Sequence, residues 1–239
     1  MKFYSLEGVD GAGKSSHVQW LADLFRGKGE SVTVARDPGG TQLSERFRQM
    51  SLAKPMDVHA ELLLIFACRR QLLSEVIEPA LKRGDVVISD RFFDNSYAFQ
   101  GGGWNVPYER IRTLDEWCAG PRPTLTFYFD LPVDVAMRRI HDTRTSVERQ
   151  EREFHERVRT AYLSRATEEP KRVRVLDANR PMRDIRNEIN SILSQDGHFA
   201  PIAPELLLRD SSEHAQTARR QSGRTPVRID GPRRIRSLL

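Results

Sequence analysis

Cysteine is scarce. The 239 residues hold only Cys68 and Cys118, which argues against a disulfide framework and for a reducing, cytoplasmic setting. No apolar run approaches the ~20 residues that span a bilayer, so no membrane contact is expected. The opening MKFYSLEG carries one lysine and a strand-like stretch broken by Glu7, too short and too polar for a secretory h-region. Internal repeats are absent as well. The body of the chain also lacks a concentrated basic surface. Residues 196–239 hold eight Arg against five Asp or Glu, which is +3 of the net +5. The remaining charge is spread widely, and small anionic substrates account for it as well as nucleic acid would.

What is present is an alternation of strand-like and helix-like stretches over residues 1–195. Strands are expected at Phe3–Leu6, Val32–Ala35, Val86–Ser89, Leu125–Phe129 and Val173–Leu176. Helical periodicity marks Lys14–Gly27, a stretch from Thr41, Asp57–Lys82, Asp94–Gln100, Pro107–Cys118, Val133–Ile140, Ser146–Ala166 and Pro181–Leu193. This order predicts one α/β domain with a parallel sheet covered on both faces. Ligands in such sheets bind beyond the carboxyl ends of the strands, where Glu7, Arg36, Asp37, Asp90, Arg91 and Asp130 fall. Residues 196–239, rich in Arg, Ser and Pro, read as a disordered tail. Nucleic acid is not expected as a partner, apart from a weak contact by this Arg-rich tail.

Gly8-Val9-Asp10-Gly11-Ala12-Gly13-Lys14-Ser15 fits G-x-x-x-x-G-K-[ST] in full, after an expected strand and before an expected helix. Glycines let successive N–H groups turn toward phosphate oxygens, and the helix N-terminus adds partial positive charge. Lys14 would reach the β- and γ-phosphates of ATP, and the Ser15 hydroxyl would reach Mg²⁺. Ser16 completes the expected ATP-binding set.

Further along, Asp37-Pro-Gly-Gly40 to Arg48 reads as a strand-ending turn and a capped helix. That reading does not explain why Asp37 and Arg48 flank the turn. Asp90-Arg91-Phe92 closes the third strand on the side of the expected site. Of Arg69 and Arg70, one should face the core, where a guanidinium needs an anionic or carbonyl partner; Arg70 reads as solvated. Phe66 suits the core better than a base platform. Phe99-Gln100, an aromatic and an amide before Gly101-Gly102-Gly103, suits base recognition, though a loop anchor fits too. Arg144, Arg149, Arg152, Arg157 and Arg159 crowd one segment. Glu148–Arg152 and Glu153–Arg157 read as surface pairs, and Arg157 and Arg159 go with that exposed face. Arg144 sits in an expected loop, from which an arginine can close over phosphates.

Together these motifs resemble the thymidylate kinase (dTMP kinase) family, bacterial type. The resemblance covers residues 1–193: EGVDGAGKSS, RDPGGTQLSERFR, EPALKRGDVVISDRF with DNSYAFQGGG, FHERVRTAYL and VLDA occur in family order. It implies a P-loop NTPase fold with a five-stranded parallel sheet flanked by helices, a short lid, a homodimer, and transfer of phosphate from ATP to dTMP, giving dTDP for dTTP synthesis. By resemblance, Asp10 holds the acceptor sugar, and Arg48 and Arg91 grip its phosphate. Arg69 and Gln100 face the thymine, and Phe99 packs beneath the deoxyribose. Ser15, Asp37 and Asp90 lie on the magnesium side. Lys14, Asp10, Arg91 and a lid arginine, here Arg144, carry the transfer. Where the family usually has Phe four residues before the base-facing Arg, this chain has Ile65 with Phe66 beside it; both are expected to line the base. Two other readings remain open from the residues alone: a P-loop kinase for another nucleotide or nucleoside, and a nucleotide-binding homologue of weak activity.

Overall fold

A computed structural model describes residues 1–53, 56–140 and 146–197 of the chain. Five strands form one sheet: β1 (Phe3–Glu7), β2 (Val32–Arg36), β3 (Val86–Asp90), β4 (Leu125–Asp130) and β5 (Val173–Asp177). Their order is β2-β3-β1-β4-β5, and every neighbour pair is parallel. β1 lies at the centre, and all five of its residues are buried, as a strand covered on both faces must be. The register aligns Leu6 with Asp90 on one side and with Phe127 on the other. The carboxyl ends of β1, β3 and β4 therefore open together at one edge.

Helices cover both faces. α1 (Lys14–Arg26) follows β1 directly, and α2 (Gln42–Ala53) follows β2. α3 (Val58–Leu72) starts with Asp57 capping the N–H groups of His59 and Ala60, a standard helix-start device. The single helix expected over Asp57–Lys82 is interrupted by a π turn at Leu73–Ile77 before α4 (Glu78–Arg83). Leu72, Leu73, Ile77 and Ala80 are all buried. The wider turn holds both neighbouring leucines and the later apolar positions on the core side.

The second departure matters for the site. After α5 (Phe93–Ser96) the chain continues as a π-helical stretch, Tyr97–Gly103, which takes in all three glycines. These glycines are packing positions. A Cβ on Gly102 would lie 2.6 Å from Ala161 Cβ and 2.9 Å from the Arg157 carbonyl oxygen. α8 (Ser146–Glu168) therefore lies directly against this stretch, and α6 (Tyr108–Cys118), α7 (Val133–Ile140) and α9 (Met182–Gln195) complete the shell. Residues 141–145, including Arg144, and residues 198–239 of the expected tail lie outside the described residues. Among those described, no helix is long and apolar enough to cross a membrane.

Candidate active site

β1 runs straight into the glycine loop. Gly8 has φ +142°, and a Cβ there would meet the Phe129 carbonyl oxygen at 2.7 Å, so the loop leaves β1 against β4 only with glycine in place. Gly13, at φ 85°, precedes α1, and no side chain caps that helix. The first turn of α1, with Ser15 and Ser16, thus presents uncapped N–H groups of the kind that hold anionic oxygens. Lys14 folds over the loop and donates from Nζ to the Val9 carbonyl at 2.8 Å. Burial, and then the charge of Arg91, pulls its pKa down to about 8.

Ser15 Oγ donates to Asp90 Oδ2 at 3.3 Å, so a hydroxyl from the loop and a carboxylate from the end of β3 stand side by side. Arg139, on α7, donates to the Gly11 carbonyl at 3.0 Å and reaches the Ala178 carbonyl at 3.5 Å. This clamp over the loop was not foreseen, because a helix arginine carries no mark in the sequence that separates a loop contact from a solvated charge.

Arg91 is the hub. Its backbone has φ 65°, an uncommon conformation for a residue with a side chain. Nη2 donates to Asp10 at 2.6 Å, Nη1 donates to Asn95 Oδ1 at 2.7 Å, and the guanidinium lies 5.0 Å from the Phe99 ring centroid. The structure thus brings together Asp10, Arg91 and Phe99. Behind Arg91 stands a buried carboxyl: Glu7 accepts from the Phe92 N–H at 2.7 Å and from the Tyr162 hydroxyl at 2.8 Å. Burial, reinforced by the charge of Asp94, drives the Glu7 pKa up to about 8. Neither Asn95 nor Tyr162 was singled out from sequence, although both lie inside family-like motifs.

Between α3 and the Ser96–Gln100 segment lies a second cluster. Arg69 Nη2 donates to Ser96 Oγ at 2.9 Å, and Gln100 Nε2 donates to Glu61 at 3.3 Å. The two elements therefore run antiparallel, with Ile65 midway between the rungs. Arg69 Nη1 and Gln100 Oε1 are buried without a hydrogen-bond partner, which is costly unless a bound group completes them.

Several expectations change. Asp37, expected on the magnesium side, is wholly buried and accepts from Arg69 Nε at 2.5 Å. Burial raises its carboxyl pKa against the pull of that guanidinium. The core-side partner sought for Arg69 is therefore Asp37, and Arg70 is not simply solvated, since it pairs with Glu78 at 2.7 Å. Phe66 stacks against the Arg69 guanidinium at 4.5 Å and belongs to the core. Ile65 packs with Phe47 and Cys68. Arg152, read as a surface partner of Glu148, pairs with Asp134 on α7. Arg157 is exposed, as read, and Arg159 is half-buried, but both find partners on other elements. Arg157 donates twice to the Gly103 carbonyl, and Arg159 binds both oxygens of Asp130. α8 is pressed against the domain, and that brings both within reach of these partners. Arg48 lies on α2, with its side chain, like that of Arg149, outside what the structure describes.

Comparison with known proteins agrees with this geometry. A family profile described as thymidylate kinase matches residues 6–189. The chain is 49% identical over 193 residues to a thymidylate kinase of Chromobacterium violaceum, covering 79% of this chain and 91% of that one. A thymidylate kinase of Cupriavidus metallidurans is 47% identical over 196 residues, with 81% and 98% covered. Among solved structures, a thymidylate kinase from Ehrlichia chaffeensis has a TM-score of 0.68 at 30% identity, covering 81% of this chain and 98% of its own. The matched stretch takes in the phosphate loop, the Arg91 hub and the cluster beside α3, and the chain belongs to the thymidylate kinase family.

Proposed function

We propose that the two clusters are the donor and acceptor halves of one site, and that the protein phosphorylates dTMP to dTDP with ATP. The observation that carries the acceptor is the pair of unpartnered buried atoms, Arg69 Nη1 and Gln100 Oε1. One atom offers a hydrogen bond and the other requires one, as the C4 carbonyl and N3–H of thymine do in the opposite sense. The α3 slot then holds the base. Phe99 underlies the sugar. Arg91 leaves Asp10 or Asn95 to take the monophosphate, with Arg48 as its companion from α2.

On the donor side, the Gly8–Ser16 backbone and Lys14 hold the phosphates of ATP. Binding restores full charge to Lys14, since anionic oxygens reverse the effect of burial. Ser15 and Asp90 offer two hard oxygens beside the loop, a set that fits Mg²⁺, which keeps water and phosphate ligands and takes few from protein. The ion would neutralise phosphate charge there. Transfer needs little covalent help from side chains: Lys14 and Arg91 meet the charge of donor and acceptor, and Asp10 keeps Arg91 in place until the acceptor arrives. Arg144 remains the proposed lid arginine.

A coupled ADP-release assay across dTMP, dUMP, dCMP, dGMP and AMP tests the reading. Release with dTMP far above the rest is expected; equal release with purine nucleotides would overturn the assignment of the slot.

We also propose a homodimer, working in the cytoplasm. Leu63 on α3 and Trp117 on α6 are 57% and 83% exposed on two helices that pack together. Large apolar side chains left open on neighbouring helices suit a self-complementary interface. Trp117→Lys should shift the mass in light scattering from dimer to monomer; an unchanged mass would move the interface elsewhere.

A further inference from the structure

We propose that Glu61 is a specificity-positioning residue, which decides between thymine and cytosine by fixing which end of the Gln100 amide faces the base. The inference rests on the acceptor-site reading above and goes one residue further.

Gln100 is fully buried. Its amide has two chemically opposite ends of nearly the same size, and nothing in its covalent structure chooses between them. The choice is made by its neighbour. An ionised carboxylate only accepts hydrogen bonds, so the amide must turn Nε2 toward Glu61, as it does at 3.3 Å. Oε1 is then left buried and without a partner. Glu61 is half-buried on α3, two turns before Arg69, and both side chains reach the Ser96–Gln100 segment. Burial raises the Glu61 carboxyl pKa and the Gln100 amide draws it back down, the coupling expected of an amide that donates to it.

The consequence is a polarity code. Arg69 Nη1 offers a proton, and Gln100 Oε1 requires one. Thymine and uracil satisfy both, through the C4 carbonyl and the N3–H. Cytosine offers an amino group to Arg69 and a lone pair at N3 to Gln100, so it is opposed at both positions. Were the amide reversed, Nε2 would donate to the cytosine N3, and half of the discrimination would be lost. A buried polar group left unpaired against the wrong base is the strongest basis for rejection that a pocket has.

The test is Glu61→Gln, which keeps size but lets the neighbour either donate or accept, so the Gln100 amide is no longer held one way. Steady-state rates with dTMP, and the inhibition constant of dCMP against dTMP, are measured for the parent, Glu61→Gln, Gln100→Ala and the double variant. The expected result is a fall of about tenfold or more in preference for dTMP over dCMP in Glu61→Gln, with the ATP KM and thermal midpoint unchanged. On the Gln100→Ala background, Glu61→Gln should have no further effect on preference, because there is no amide left to orient. If dTMP and dCMP weaken in parallel, Glu61 serves structure only and the proposal falls. If Gln100→Ala itself leaves the preference untouched, the acceptor-site reading fails with it. If Gln100→Ala changes the preference and Glu61→Gln does not, only the role of Glu61 is overturned.

Discussion

The Tyr162 hydroxyl donates to Glu7 Oε2 at 2.8 Å, joining α8 to the strand that feeds the phosphate loop. The same hydroxyl lies 3.2 Å from Asn95 Oδ1, which accepts from Arg91. Tyr162→Phe strips a partner from two buried groups. A loss of ~1–3 kcal/mol in stability is expected, together with a higher KM for dTMP than for ATP relative to the parent, because Asn95 loses its brace beside Arg91. Equilibrium denaturation and initial rates check both. An unchanged dTMP KM would confine the bond to folding.

Glu7 adds a pH dependence of definite sign. Its pKa is raised from 4.5 to about 8, by burial first and then by Asp94. The folded chain therefore keeps a proton that the unfolded chain gives up. That contribution to stability is complete below the unfolded value and is lost as pH rises through about 8. Glu7→Gln, neutral at every pH, lacks it. Denaturation midpoints taken near pH 5.5 and near pH 8.5 should show the parent losing stability relative to the variant. Parallel midpoints at both would mean that Glu7 is ionised throughout.

Lys14 runs in the opposite sense. Burial and Arg91 lower its pKa from 10.5 to about 8, so charge on this buried ammonium costs stability below that value, and the cost fades toward the unfolded pKa. Lys14→Met is expected to unfold no more easily than the parent near pH 7, while transfer falls by about 10²-fold or more. In the parent, kcat/KM for ATP should decline as pH passes about 8, with kcat flatter, because bound phosphates hold the proton on. A kcat/KM that stays level well above that pH would place the ammonium outside the free-enzyme titration.

Asp37 and Arg69 form a buried pair at 2.5 Å, and the pair predicts what the metal reading does not. Asp37→Asn leaves a buried guanidinium without its counter-charge, at a cost of about 3–5 kcal/mol. The dependence of activity on Mg²⁺ should be unchanged in the variant that still folds at low temperature, whereas Asp90→Asn should raise the Mg²⁺ requirement with little effect on stability. The reverse pattern would return Asp37 to the ion.

The strands and the phosphate loop were legible because their signals are local. Val86–Ser89 and Leu125–Phe129 are short β-branched or aromatic runs, and the glycine loop is a contiguous pattern set between a strand and a helix. Asp10, Arg91, Phe99 and Gln100 came from motif order, and the structure brings the first three into contact. The misread residues depend on what crosses them in space. Asp37 looked like a strand-end ligand until α3 brought Arg69 to it. Arg157 and Arg159 had acid neighbours at helical spacing, but their partners, Gly103 and Asp130, come from other elements. Tyr162 lies 155 residues from Glu7, and no window over the sequence joins them.

The three glycines were read as a loop, and their actual use can be tested. At Gly102 the backbone and Cβ atoms of α8 come close to the stretch that carries Phe99 and Gln100. An added Cβ would meet Ala161 Cβ at 2.6 Å and the Arg157 carbonyl oxygen at 2.9 Å, and neither is the flexible end of a side chain. Gly102→Ala must therefore push α8 and the π-helical stretch apart, at a typical overpacking cost of ~1–3 kcal/mol. That displacement reaches Gln100 on one side and Tyr162 on the other, so the KM for dTMP should rise while the KM for ATP changes little. Ala161→Gly supplies the control. It costs up to ~1 kcal/mol on its own as a helix glycine, yet it removes the closer of the two obstacles. The double variant should lose clearly less stability than the sum of the two single losses, measured by urea denaturation. Strict additivity would mean that the two positions do not press on one another, and that Gly102 is needed for its backbone rather than for the approach of α8.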